Sequence, residues 1–511
     1  MRIRHLSSWF VLSFCVIEGS VVACGGGGGS SNGGSGSNAG SGSGASTGTS
    51  GAMSDADGSS ASAGSSNPGG DAAMSPADAS GGGSGAAASS GGATSGAAEA
   101  STGSSGAIVG NDAAPPPDDG GLAGAAPLTG LLGTPSRPQL SAAQAAEFTI
   151  ANYLAQTGTL GALTADHWNP TAGLDATTFA ATYKVAKTGA TYATVQAAVD
   201  AAVAAGGSKR VYIQIAPGTY DEQVCILASA PPITLYSTNA DATQTVIQHA
   251  DFQSGLSTLG INPCMGDTNQ QAATLDAFND GFQAKNLTIQ NTATNAQLAA
   301  VQATLDAGAK VNSQAVALAT KGDQVILDNV RILSHQDTLF VDGPAATVRR
   351  VYAKNSYVAG DVDFIFGAAS AVFDHCVIEF VSDRTTKGQP LAPDTENRNA
   401  YGFLVINSAF TADANTAAGA VSLGRAWDHS CGDANKDTSF YVTSCVASGM
   451  YPNGQAVVMN STIDAKYSRT APWQPAATTG RGYSSTSWAC VGGTCPANRL
   501  YEYNNTGAGS M

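Results

Sequence analysis

A weak internal repeat constrains the fold of this 511-residue chain more than any other feature of its sequence. Each copy is a polar residue followed by aliphatic or aromatic residues at alternating positions. Copies begin at Asn286, Asn329, Asn355, His375 and Asn407, at uneven intervals. The steps from Asn329 to Asn355 and on to His375 fall in the range of about 20–26 residues, which is typical of one coil of a parallel β-helix. The longest step, from Asn286 to Asn329, fits two coils or one coil with a long loop.

An antiparallel sandwich is the alternative fold, but it requires a hairpin turn every 8–12 residues or so. The sequence has no clear rhythm of that kind. We therefore predict an all-β parallel β-helix with a few short flanking helices. The helices are expected at Ser141–Leu154, which is rich in alanine, and at Tyr192–Ala205, where apolar residues have helical spacing. A long stack of coils also offers an outer groove that suits a linear polysaccharide.

The N-terminus reads as a bacterial export signal over residues 1–23. Arg2 and Arg4 precede an apolar run that is too short for a stable membrane span. Val21-Val22-Ala23-Cys24 resembles a lipobox, so Cys24 is the predicted lipidation site. We expect a lipoprotein anchored to the outer membrane or the cell surface. If Cys24 is incidental, the segment is an ordinary signal peptide and the protein is secreted.

Residues 24–136 are predicted to be a disordered tether rich in Gly, Ser and Ala. They contain too few large apolar side chains to offset the entropy lost on folding. The globular domain is expected over residues 137–511, and we expect it to be monomeric. Its net charge of -15 argues against a nucleic-acid partner, because no basic run could neutralise a phosphate backbone. A polyanionic substrate must likewise be partly neutralised, as an ester is.

Nine cysteines are present, and seven remain once Cys15 of the signal and Cys24 are set aside. In an exported protein this odd number predicts up to three disulfides and one free thiol. Plausible pairs are Cys225–Cys264, Cys431–Cys445 and Cys490–Cys495. No Cys/His spacing resembles a zinc site.

Two aspartates follow the repeat at the same offset. Asp337 lies eight residues after Asn329, and Asp363 lies eight residues after Asn355. If the two coils are in register, the aspartates are neighbours at the coil spacing of about 4.8 Å. Two carboxyl groups that close do not ionise together easily, so one is expected to keep a proton. The pair then supplies a nucleophile or base beside a proton donor.

Other polar residues suit the same chemistry. Gln336 and Gln314 carry neutral amide donors, which can bind an oxyanion that forms only in the transition state. Arg425 can clamp a carboxylate through two parallel hydrogen bonds. Trp427 can offer a flat face to a sugar ring. A role in core packing is an equally good interpretation of this residue.

Five segments in this order resemble motifs of the pectin methylesterase family. They are Gly218-Thr219-Tyr220-Asp221-Glu222, Gln314 to Leu318, Gln336-Asp337-Thr338-Leu339, Gly360 to Gly367 and Leu423 to Trp427. The likeness runs from about Val185 to the C-terminus. It implies a right-handed parallel β-helix that hydrolyses the methyl esters of pectin without a cofactor or metal.

The resemblance also implies a role for each site residue. Asp363 would attack the ester carbonyl, and Asp337 would protonate the departing methanol and then activate water. The two glutamines would form the oxyanion site, and Arg425 would hold Asp363. Residues predicted to contact the substrate are Trp427, Phe364 and Tyr220.

The chain departs from the family in three places. Ala426 stands where a proline is usual, and the stretch from Gln336 to Gly360 is longer, with a turn expected at residues 342–344 that reshapes the groove edge. Ser356 stands where the family often has a cysteine paired with the equivalent of Cys376, so Cys376 is the expected free thiol. A pectate lyase, a polygalacturonase and a non-catalytic polysaccharide-binding lipoprotein are the competing functions.

Overall fold

The computed structural model describes residues 128–253, 264, 272–304, 311–429, 445–446, 449–482 and 499–511. The predicted signal peptide, Cys24 and the tether up to residue 127 lie outside this part of the chain. Within it, no helix is long and apolar enough to cross a membrane. The described residues form a right-handed parallel β-helix, as predicted from the repeat and the family resemblance.

Each coil contributes strands to three parallel faces. An 18-stranded sheet supplies the first and second faces, and a 6-stranded sheet supplies the third. Strands of the first face are Tyr183–Val185, Val211–Ile215, Ile233–Tyr236, Arg350–Lys354, Ser370–Asp374, Phe403–Ile406, Gln455–Met459, Arg499–Tyr503 and Arg137–Gln139, which also forms a hairpin with Leu132–Thr134. Strands of the second face are Gly218–Asp221, Thr245–His249, Tyr357–Gly360, Val377–Phe380, Ala409–Ala412 and Thr462–Ile463. Gln283–Asn291 and Val325–Leu333 run through both faces. Strands of the third face are Val224–Ile226, Leu275–Ala277, Leu318–Thr320, Leu339–Val341, Val362–Gly367 and Gln389–Pro393.

The corner between the first and second faces is made by the polar residue of each repeat. These residues have φ values between 50° and 58°, in the left-handed region that asparagine tolerates better than most residues. They are Asn286, Asn329, Asn355, His375, Asn407, Asn460 and Asn504. The predicted steps are confirmed as coil spacings, and the last two residues extend the series. The long step that begins at Asn286 is one coil, because Leu287 pairs directly with Val330.

Apolar residues of consecutive coils stack in columns inside the helix. One column on the second face runs from coil to coil in strict register, and each member is at most 1% exposed. It consists of Ile289, Ile332, Val358, Ile378, Phe410 and Ile463. Complete burial of such a side chain stabilises the fold by about 1.5–3 kcal/mol. The alternation seen in the sequence is therefore the alternation between this interior and the outer surface.

The segment before the first coil packs against the outer side of the first face. Tyr153 and Leu154 join a cluster with Tyr352, Leu404 and Tyr501 of the coils. The single helix expected at Ser141–Leu154 is wrong, since the segment forms two short helices, Ala142–Ala145 and Ile150–Leu154. A new helix begins because Thr149 caps it by accepting a hydrogen bond from the Asn152 amide.

The remaining helices are short, and Val195–Ala205 packs its buried face into the main core. Val195–Ala205 agrees with the second predicted helix, although it begins three residues later. Asn295–Gln302 is a helix that the sequence pattern did not predict. Two 3-10 turns are found at Ala176–Thr178 and Ala242–Gln244.

Buried ion pairs fasten the N-terminal segment to the coils. The Arg137 guanidinium donates to both carboxylate oxygens of Glu502, at 2.9 and 2.7 Å, where both side chains are at most 2% exposed. Arg350 is fully buried and binds Asp323 of a coil and Asp166 of the segment. Removing one partner from such a pair leaves an uncompensated buried charge, so these contacts define how the segment docks.

The long stretch between Gln336 and Gly360 contacts the same segment. Its strand Thr347–Val348 pairs antiparallel with Gln156–Thr159, which in turn pairs with Ala162–Ala165 in a three-stranded sheet. The extra residues are therefore tied to the N-terminal segment by backbone hydrogen bonds.

The described cysteines agree with two predictions. Cys225 and Cys264 form a disulfide, and Cys376 is the free cysteine of the described residues. Burial raises the pKa of the Cys376 thiol to about 12, so it stays protonated at neutral pH. Cys445 is disulfide-bonded, whereas Cys431, Cys490 and Cys495 lie outside the described residues.

The hydrogen bond between the corner residues Asn329 and Asn286 leads to a prediction about stability. The Asn329 side chain donates to Asn286 Oδ1 at 2.9 Å and to the Ala240 carbonyl at 2.8 Å. Both Asn329→Ala and Asn329→Gly remove these bonds, but only alanine meets the steric cost of a left-handed φ, about 1–2 kcal/mol. We expect chemical denaturation to give Asn329→Ala the lower unfolding free energy by about that amount. Equal stabilities would show that the corner conformation does not limit the fold.

Candidate active site

Asp337 and Asp363 lie at equivalent positions of neighbouring coils. Leu339 pairs with Ile365 on the third face, and the Asp337 amide donates to the Val362 carbonyl at 3.1 Å. Both aspartates have a left-handed backbone, with φ values of 63° and 48°. The predicted register is confirmed, and coils in this register are about 4.8 Å apart.

A β-bulge shapes the backbone at Asp363. Val362 pairs with Gln389 and Ile365 pairs with Leu391, so the strand that carries Asp363 has one extra residue between these pairs. Bulges re-aim side chains and are frequent beside active sites. A left-handed aspartate inside a strand also costs energy, and such costs concentrate at functional positions.

The Asp363 carboxylate is held by charged and neutral donors. Arg425 donates through Nε to Oδ1 at 2.9 Å and through a terminal nitrogen to Oδ2 at 2.5 Å. The Gln389 amide nitrogen donates to Oδ1 at 2.6 Å. Asp363 is only 6% exposed, so these donors replace the water that an ionised carboxylate would otherwise need. The predicted pairing of Arg425 with Asp363 is present in the structure.

The sequence analysis missed Gln389, which follows Asp363 at the same interval at which Asp363 follows Asp337. The corner repeat does not point to it, because the residue eight positions after the next corner, His375, is Asp383. An isolated glutamine is usually a solvated side chain, so the residue type alone did not single it out.

The Gln336 amide has a defined orientation. Ser313 Oγ donates to Gln336 Oε1 at 2.9 Å, which directs the NH2 group of the amide away from Ser313. Gln314 follows Ser313 in the chain. The backbone N–H of the next residue, Ala315, donates to the backbone carbonyl of Gln336 at 3.0 Å. The structure therefore brings the two predicted glutamines together on adjacent coils, next to the coil of Asp363.

An aromatic wall lies on the outer side of the third face. Phe340 and Phe366 stack with their ring centres 4.6 Å apart, and Trp427 meets Phe366 edge-on at 5.4 Å. His429 stacks on the other side of Trp427 at 4.3 Å, and its amide binds Asp394. Burial raises the pKa of Asp394 well above its ordinary value, so this carboxyl carries less negative charge than the sequence suggests. Trp427 is partly exposed, so it packs against these rings and also reaches the surface.

Two residues predicted to contact the substrate are buried elsewhere. Tyr220 and Phe364 are each 0% exposed and belong to the main core, so the prediction that they touch a polymer is wrong. The motif around Tyr220 has a structural purpose instead. The Glu222 carboxylate accepts the Val195 and Gln196 amides at 2.8 and 2.9 Å and so caps the helix Val195–Ala205.

Comparison with known proteins gives the family. A family model described as pectinesterase matches residues 182–432. A pectinesterase of Ralstonia solanacearum is 44% identical over 399 residues, which cover 76% of this chain and 94% of that protein. The chain belongs to the pectinesterase family. Membership makes it a carboxylic-ester hydrolase.

Two further relatives show how broad this pectinesterase family is. The structure of a rice weevil pectin methyl esterase matches with a TM-score of 0.58 at 32% identity and covers 74% of this chain and 98% of that one. YbhC of Escherichia coli, provisionally named an acyl-CoA thioester hydrolase, is 32% identical over 74% of this chain and 90% of its own. Family membership therefore does not specify which ester this chain hydrolyses, and the residues of its own site are the guide to the substrate.

The contact between Arg425 and Asp363 predicts the outcome of a charge-conserving change. Arg425→Lys keeps the positive charge, but an ammonium cannot make the paired bonds of a guanidinium. Loss of a charge-assisted hydrogen bond costs about 1.5–3 kcal/mol, which corresponds to a roughly 10- to 100-fold lower kcat. Steady-state kinetics of ester hydrolysis measure this. Near-normal turnover of Arg425→Lys would contradict a clamp on Asp363.

Proposed function

We propose that this chain hydrolyses the methyl esters of polygalacturonate, releases methanol and leaves free carboxylates on the polymer. The observation that carries the proposal is the side chain of Asp363, which accepts hydrogen bonds from Arg425 and Gln389 one coil from Asp337. A carboxylate fixed in this way is a nucleophile, and a carboxyl group beside it is a proton donor.

In the first step, an oxygen of Asp363 bonds to the ester carbonyl carbon. The bond from that carbon to the methoxy oxygen breaks, and Asp337 gives its proton to the departing methoxide, so that methanol leaves. The polymer is then joined to Asp363 as an anhydride. Asp337, now a carboxylate, takes a proton from water as the water attacks the galacturonyl carbon. This step restores both aspartates and frees the galacturonate.

Negative charge develops on the carbonyl oxygen in both steps. The amide NH2 groups of Gln336 and Gln314 stabilise it as neutral donors in preset positions. Ser313 supports this role for Gln336, since it occupies the Oε1 atom and leaves the nitrogen end to bind substrate. Neutral donors also suit an enzyme whose product is an anion, because they do not retain that anion as a cationic site would.

The aromatic wall suits the substrate of this proposal. Trp427 is partly exposed and lies two residues from Arg425, where a galacturonate ring can pack against it, and Phe340 and Phe366 contact it edge-on. The methyl ester neutralises the polymer at the reacting residue, which reduces repulsion from a protein of net charge -15.

The competing polysaccharide chemistries fit the same residues less well. A lyase needs a basic arginine or lysine side chain that abstracts a proton, and the Arg425 side chain is engaged by its ion pair with Asp363. An inverting glycosidase needs carboxyl groups about 6.5–9.5 Å apart to admit water, whereas these two lie on coils about 4.8 Å apart. A protein that only binds polysaccharide would have no need for an aspartate in a bulged, left-handed conformation.

The direct test is methanol release from highly methylated pectin, with chain length measured in parallel and chelator present in one arm. We expect methanol without chain shortening, at equal rates with and without chelator. Unsaturated ends that require calcium would identify a lyase, and shortened chains without methanol a galacturonase. Preferential hydrolysis of acyl-CoA in a matched assay would reassign the site to thioesters.

Asparagine variants test the two aspartates separately. Asp363→Asn is expected to abolish turnover, because an amide cannot attack the ester. Asp337→Asn is expected to lower kcat by about 10²–10⁴-fold, since methoxide leaves poorly without a proton. The double variant should be no worse than Asp363→Asn, because both residues serve one reaction. Substantial turnover by Asp363→Asn would remove it as the nucleophile.

We further propose that lipidated Cys24 anchors the enzyme to a bacterial membrane and that the tether lets a monomeric catalytic domain reach the polymer. The lipobox-like Val21-Val22-Ala23-Cys24 and the Gly/Ser-rich composition of residues 24–136 support this. In cell fractionation, we expect Cys24→Ala to move the protein out of the membrane fraction. Cys15→Ala is the matched control and should stay in that fraction. Membrane retention of Cys24→Ala would show that the anchor does not depend on Cys24.

A further inference from the structure

Gln389 contacts the proposed nucleophile but has no role in the reaction as written above. It begins the strand Gln389–Pro393, pairs with Val362 and is 8% exposed. Its amide nitrogen lies 2.6 Å from Asp363 Oδ1, the shorter of the two hydrogen bonds to that oxygen. A buried amide in such close contact with a carboxylate has a defined orientation, because only its NH2 end can donate to an acceptor.

The two oxygens of Asp363 are not equivalent in this arrangement. Oδ1 accepts one hydrogen bond from Gln389 and one from Arg425 Nε at 2.9 Å. Together these two bonds occupy both of its lone pairs. Oδ2 accepts a hydrogen bond from a terminal nitrogen of Arg425 at 2.5 Å. Its second hydrogen bond, from Arg425 Nε, is longer at 3.2 Å. Oδ2 therefore receives one short hydrogen bond where Oδ1 receives two, and it is the less saturated of the two oxygens.

Arg425 alone would not create this difference. A guanidinium fork binds the two oxygens of a carboxylate in nearly the same way, and the terminal torsion of aspartate is broad and roughly two-fold. Gln389 breaks that symmetry because its amide reaches only one of the two oxygen positions.

We propose that Gln389 is a positioning residue that saturates Oδ1 of Asp363 and so makes Oδ2 the oxygen that attacks the ester. This inference rests on the proposed function, since it assumes that Asp363 is the nucleophile. Gln389 acts through Asp363 and touches no substrate. Its loss should therefore reduce the rate of the chemical step more than the affinity for the polymer.

Two substitutions separate donation from shape. Gln389→Leu replaces the amide donor with an apolar side chain of similar size. Gln389→Glu keeps the shape of the side chain but places a second carboxyl group against Asp363. We expect Gln389→Leu to lower kcat about 10- to 100-fold, the effect of losing a hydrogen bond to a charged group. Gln389→Glu should be slower still, and KM should stay within about two-fold in both variants because the binding surface is unchanged.

The matched control is Gln244→Leu. Gln244 also donates to an aspartate, Asp241 Oδ2 at 3.2 Å, but this pair is exposed on a 3-10 turn. Its kinetics should equal those of the wild type. Thermal unfolding of all variants shows whether each is folded, and a crystal structure of Gln389→Leu should show the plane of the Asp363 carboxylate turned from its wild-type orientation.

The outcomes distinguish this inference from the proposed function. If the wild type releases no methanol, or if Asp363→Asn retains turnover, the proposed function fails and the inference fails with it. If Asp363→Asn is inactive but folded Gln389→Leu keeps kcat within about two-fold of the wild type, only the role of Gln389 is overturned. A faster Gln389→Glu than Gln389→Leu would likewise overturn it, since the amide would then act by shape rather than by donation.

Discussion

The left-handed corner residue fixes the register of this protein. At each corner the backbone turns at one residue, and Asn329 and Asn504 donate to the corner asparagines of the preceding coils, Asn286 and Asn460. A slip of one residue would break these hydrogen bonds and would turn the buried columns towards solvent. Because the register cannot slip, residues at equal offsets from successive corners become neighbours where the turns between them have equal length, as Asp337 and Asp363 do.

That constraint explains which parts of the site could be predicted. The step from Asn329 to Asn355 equals the step from Asp337 to Asp363, so the adjacency of the two aspartates followed from the repeat alone. Arg425 could be matched to Asp363 only through the motif resemblance. It lies 62 residues further on, and the loops between coils have no regular length.

Other features were hidden because sequence patterns do not show which way a loop or side chain faces. Tyr220 and Phe364 occur in motifs that the family uses, but their side chains point into the core. Glu222 looked like part of a functional motif and is a helix cap. The aromatic wall joins Phe340, Phe366 and Trp427 from three coils, and only the register of the finished helix brings them together.

The coils differ widely in length, since the shortest corner step runs from Asn355 to His375 and the longest from Asn407 to Asn460. Within the described residues, the strands that pair between coils keep their register, so the variation lies between the strands. Insertions can therefore alter the walls of the groove without moving the reacting atoms. Substrate selection and catalysis can therefore evolve separately. Mutations in the loops can change which polymers are recognised, while the β-helix keeps the catalytic geometry constant.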